Sequence, residues 1–155
     1  MEPSNAVLTV VNILAGSPTM DELELVAALE REGFSHVQAE KLCAFVPSAF
    51  AWALLKRMGL QSFPSYYTAL DRAGREVQLP LDREPYFTAA LQLASETLEN
   101  GWNPVITRQN FECIISRSAE LNAANKLLNS GGSLASAELL PLRVFRISAE
   151  LTNGS

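Results

Sequence analysis

Histidine occurs once in this chain, at His36, and cysteine only twice, at Cys43 and Cys113. That scarcity excludes most metal-binding and nucleophilic arrangements. Zinc sites draw on cysteines and histidines at short spacings, and neither cysteine has a second such ligand nearby. Calcium sites need several oxygen ligands in one loop. The densest acidic group, Asp21, Glu22 and Glu24, instead suits the start of a helix, where the dipole favours negative charge. Phosphate loops place glycines ahead of a helix, but Gly131-Gly132 follows one, and no lysine stands at the P-loop spacing. No metal and no cofactor is expected.

Runs of basic residues are also missing. Twelve Lys and Arg face seventeen Asp and Glu, a net charge of -5, and groupings such as Lys56-Arg57 or Arg143 with Arg146 are too small to grip a phosphate backbone. Nucleic acid is therefore not an expected partner. No stretch reaches the roughly 20 apolar residues of a bilayer span. The apolar run Ala6 to Ala15 has neither a basic region before it nor a small-residue cleavage site after it, so a secretory signal is not expected. With both cysteines read as buried free thiols, the expected compartment is a reducing cytoplasm.

What is present is enough for a core. Hydrophobic residues make up 48% of 155 and charged residues 19%, which suits one globular domain over residues 1–155, frayed at 1–5 and 152–155. Val7, Leu8, Val11 and Leu14 have helical spacing, and their thin polar face favours burial in the core over an exposed docking surface. Thr19 and Glu22 have the form of a capping box for a second helix to about Glu32, its buried stripe read as Leu23, Val26, Ala27 and Leu29. Ser35 with Gln38 opens a third, and Pro47 ends or kinks it before a continuation capped by Ser48 and closed by Gly59. Its aromatic face, Phe45, Phe50 and Trp52, reads as the centre of the core.

From Tyr66 to Leu79 the pattern changes to a β-hairpin, with aromatics before the turn Asp71 to Gly74 and alternation after it. A third strand over Leu142 to Ser148 is the best candidate to pair with it. Asp82 is expected to cap a helix with Pro85 in its first turn. Thr107 opens the longest expected helix, Arg108 to Asn129, and a short one spans Ala135 to Leu140. The expected fold is mostly α (α+β), five or six helices with one small hairpin.

Three functional classes follow. The leading one is a non-enzymatic protein-binding module, most concretely a bacterial immunity or antitoxin-type protein that occludes the active site of a toxin enzyme. Tyr66, Tyr67, Arg72 and Arg75 would form its partner-binding surface, because Tyr and Arg concentrate binding energy at interfaces. A second is an enzyme or ligand-binding protein with a site around His36, with Glu40 one turn on and Tyr66 or Tyr67 nearby. The third is a homo-oligomer subunit that docks through the apolar first helix.

Overall fold

The structure, a computed structural model, describes residues 2–60, 65–71, 73–133 and 145–146. Among these residues the chain is mostly helical with a small antiparallel hairpin, an α+β arrangement. Helices α1 (Pro3–Gly16), α2 (Glu22–Arg31) and α3 (His36–Arg57) precede the strands β1 (Tyr66–Leu70) and β2 (Glu76–Pro80). A single 3-10 turn at Leu81–Arg83 leads into α4 (Pro85–Glu99), then α5 (Arg108–Ile115), α6 (Ala119–Asn129) and β3 (Phe145–Arg146).

The third helix is the axis of the core. Every residue from Lys41 to Ala53 is buried, which requires neighbours on all sides and suits a stretch that, Lys41 and Ser48 aside, is apolar around its whole circumference. Its start is a reciprocal cap: the Gln38 amide donates to Ser35 Oγ, and the Ser35 amide donates to Gln38 Oε1. Pro47 sits inside it without ending it. Tertiary packing outweighs the missing amide hydrogen bond there.

A buried ion pair sets how α4 lies against α3. Lys41 Nζ is 3.4 Å from a carboxylate oxygen of Glu84, with side chains only 10% and 3% exposed. Glu84 is also the N-cap of α4, accepting from the Tyr86 amide, and Pro85 fills the first helical position. Further along, the ring of Phe87 meets Phe45 and Trp52 edge-on, with centroids 6.2 and 5.1 Å apart. Arg57 Nη1 then donates to the Leu98 carbonyl at 2.6 Å. Partners rise in number together on both helices, so α3 and α4 run side by side in the same direction.

Parallel neighbours need a connection that carries the chain back along the first helix, about 24 Å from Lys41 to Arg57 at 1.5 Å per residue. The hairpin lies in that connection. β1 and β2 pair antiparallel from Tyr66–Pro80 to Leu70–Glu76, and β3 lies parallel to β1 on its other side, giving the order β2-β1-β3. Tyr67 and Ala69 point inward, with the Tyr67 ring 5.0 Å from Phe45. Gly74 closes the tip at φ +78, a left-handed conformation that favours glycine.

Several sequence expectations are corrected in detail. Of the two readings around Pro47, residues 36–57 form one helix, so Ser48 caps no second helix and instead donates from Oγ to the Ala44 carbonyl in its interior. The cap of α2 is Asp21, not Thr19. Its buried face is Leu25, Val26, Ala28 and Leu29, while Leu23 is 82% exposed. Glu84 replaces Asp82 as the α4 cap because Leu81–Arg83 form their own turn. The expected helix 108–129 breaks at Ser116–Ser118. Ser118 caps α6, and the Arg117 guanidinium turns back to donate to the Pro18 and Met20 carbonyls, pinning the α1–α2 connection. The short helix expected at 135–140 lies outside the described residues, as do 142–144 and 147–148 of the expected third strand.

The buried pair predicts an asymmetric mutational response. Glu84→Ala leaves the Lys41 ammonium buried without its carboxylate and removes a helix cap, so urea denaturation should show a loss of about 3–5 kcal/mol. The double substitution Lys41→Met with Glu84→Gln should recover most of it, since no charge is then buried.

Candidate functional site

A solvent-open cleft of about 810 Å³ lies where the hairpin meets the parallel helices. Trp52 and Lys56, one turn apart on α3, form one wall, and Phe87, Thr88 and Leu91 of α4 form another. Ser65 and Tyr66 at the start of β1 and the segment Gln78 to Arg83 complete the lining. Helical spacing explains the division of labour: Trp52 and Lys56 at i and i+4, like Phe87 and Leu91, project from one face of their helix. Trp52 and Phe87, almost fully buried with Leu81, make a largely aromatic floor, whereas Tyr66 is 41% exposed at the rim.

The charged lining groups are Lys56, Asp82 and Arg83, all exposed. Among the described residues neither Lys56 nor Arg83 is paired with a carboxylate. The cleft thus carries a local excess of one positive charge (Lys56 and Arg83 against Asp82) on a chain of net charge -5. Apolar floor with a few polar groups at the rim is the usual chemistry of a binding site.

The residues singled out from sequence fall in different places. Tyr66 lines the cleft. Tyr67 is a correction: strand alternation turns its ring into the core, where it is 4% exposed against Phe45. Arg75 is exposed, but its Nε donates to the Asp71 carboxylate, which also accepts from the Ala73 and Arg75 amides. Those hydrogen bonds, led by the Arg75 amide, hold the Asp71 carboxyl below its ordinary pKa and clamp the hairpin tip. Arg72 lies outside the described residues. Trp102 is 48% exposed yet stacks edge-on against Phe111.

Of the second candidate centre, His36 and Glu40 meet, but away from the cleft. His36 is exposed at the start of α3, about 24 Å along the helix from Trp52, and does not line the cleft. Its Nδ1 lies 3.0 Å from Glu30 and its Nε2 2.9 Å from Glu40, so it bridges α2 and α3 without meeting Tyr66 or Tyr67. Cys43 is buried and in no disulfide, while Cys113, expected to be buried, is half-buried with its thiol toward the Pro18 carbonyl. Among the described residues, no group of three or more His, Cys, Asp and Glu side chains is arranged to hold a metal ion. No helix among them is long and apolar enough to cross a membrane.

Helical spacing marks Trp52 as core, and nothing local marks Phe87 or Arg83 as lining a cleft. An exposed base one turn after a core tryptophan was the available signal for Lys56. Comparison with protein families, with curated proteins and with solved structures finds no match to this chain.

His36 generates a pH prediction. Only the imidazolium donates from both ring nitrogens, and both here face carboxylates. The hydrogen bond to Glu30 and then the charge of Glu40 raise its pKa above 6.5. A raised folded-state value means that the clasp stabilises the fold fully below pH 6.5 and is lost as pH rises through the folded pKa. An NMR titration of the His36 ring should therefore show a midpoint above 6.5, and Glu30→Gln should lower it. An unchanged midpoint in that variant would remove the clasp.

Proposed function

We propose that the protein is a non-enzymatic binding module that docks a partner protein at the cleft beside the hairpin. The observation that carries this reading is the cleft itself, an aromatic floor of Trp52 and Phe87 open to solvent beneath the exposed Tyr66 rim. Large aromatic anchors in a partly desolvated depression, ringed by polar groups, are where interfaces concentrate their energy. The most concrete member of this class is a cytoplasmic immunity-type protein that neutralises a toxin by covering its active site. A net charge of -5 supports steering toward a basic partner, with the cleft supplying the short-range contacts. The apolar face of α1, the surface required by a subunit reading, is occupied within the chain: Val7, Val10, Val11 and Leu14 are buried.

The test is affinity purification of the tagged chain from its own host at low and high salt, alongside Tyr66→Ala. A partner recovered in near-stoichiometric amount with the native chain and lost with Tyr66→Ala is the expected result. Recovery of the native chain alone overturns the reading, and equal recovery with both chains moves the interface away from the cleft.

A further inference from the structure

We infer that the cleft receives an extended, apolar segment of the partner that carries a carboxylate, which Lys56 and Arg83 recognise while the segment's backbone meets the outer edge of β2. This rests on the docking reading above and names the chemistry of its partner.

The backbone of β2 offers hydrogen bonds on its outer side. At the two ends of the hairpin the Leu81 amide donates to the Ser65 carbonyl and the Asp71 amide donates to the Arg75 carbonyl, each at 3.0 Å. In an antiparallel pair, residues that exchange backbone bonds alternate with residues that do not. With the register observed, Tyr67–Leu79 and Ala69–Val77 are the bonded pairs. The N–H and C=O groups of Glu76 and Gln78 therefore turn away from β1, toward an edge that no strand among the described residues occupies. Pro80 ends that edge with a carbonyl and no donor, and Glu76 blunts its far end, so pairing is short and centred on Gln78.

A short backbone match needs side-chain contacts to be selective. Strand addition takes its specificity from pockets for alternate side chains, and the floor of Trp52 and Phe87 lies beside Gln78 in the same cleft. Charge decides the rest. Lys56 on α3 and Arg83 on the 3-10 turn approach the cleft from different elements, and among the described residues Asp82 is the one carboxylate that lines it with them. An acidic side chain next to an apolar one satisfies both cations, whereas a basic one meets two like charges. The opening to solvent suits a through-running chain.

The experiment adds blocked peptides to the full-length protein and follows the Trp52 indole and Gln78 amide by two-dimensional NMR. The probes are acetyl-Glu-Leu-Val-Phe-Leu-Glu-amide, its two-Gln and two-Lys counterparts, and dodecanoate. The expected result is saturable shifts at both sites with the Glu peptide, binding about tenfold weaker for Gln, and weaker still for Lys. Lys56→Ala with Arg83→Ala, both exposed, should bring the Glu and Gln peptides within about twofold of each other while leaving the thermal midpoint unchanged. Equal or tighter binding of the Lys peptide overturns the inference, as do shifts confined to residues outside the cleft. Dodecanoate binding with no response to any peptide overturns it in favour of a small amphipathic anion site. If the pull-down partner depends on Tyr66 but none of the peptides binds, the segment chemistry is wrong and the docking reading stands.

Discussion

The buried contact between Lys41 and Glu84 is the constraint on which the arrangement of α3, the hairpin and α4 depends. Removing two charges from water is costly, and their attraction offsets that cost only when the geometry is held. Glu84 is held because it is also the first residue to satisfy the free amides of α4, so one carboxylate fixes both where the helix begins and which part of α3 it faces. The Phe87 ring between Phe45 and Trp52, and the Arg57 guanidinium on the Leu98 carbonyl, continue the alignment to the other end. An apolar pair at 41 and 84 would pack as well but would tolerate sliding, because hydrophobic attraction has no direction.

The cleft is a consequence of that parallel alignment. Antiparallel helices can be joined by a few residues, but parallel ones require a long return, and here the return includes a two-stranded hairpin. A hairpin alone is marginal in water, so one face must pack on the helices. Tyr67 and Ala69 supply that face, while Tyr66 and Gln78 face outward by strand alternation. Where β2 passes into α4, Trp52 and Phe87 lie at an opening to solvent lined on its other sides by β1 and the segment from Gln78 to Arg83. The positive local charge arises the same way: Lys56 and Arg83 are far apart in sequence and meet only across this opening.

Much of the architecture was legible in the residues. The hairpin, the reciprocal cap at Ser35, the central role of Phe45, Phe50 and Trp52, and the buried first helix all follow from spacing and turn chemistry that act over a few residues. Errors fell where distant groups intervened. Of the two readings of Pro47, the helix runs through it, because packing on every side outweighs a local propensity. The helix expected over 108–129 is interrupted at Ser116–Ser118, where Arg117 reaches back to carbonyls nearly a hundred positions earlier in the chain, a partner that no local window contains. Leu23 appeared buried because periodicity defines a stripe but not which side of it meets the core.

The candidate site was less legible for the same reason. Tyr66 and Tyr67 are identical in type and adjacent, and only the facing of β1 sends one to the cleft rim and the other into the core. Sequence by itself determined the helical class, the hairpin, and the thin supply of histidine, cysteine and basic residues, since these depend on composition and on interactions between near neighbours. Tertiary structure alone decided that α3 and α4 run parallel, that Lys41 meets Glu84, and that Trp52, Lys56, Arg83 and Phe87 share one opening. Those outcomes depend on long-range packing and burial, which acquire direction only when the whole chain is folded.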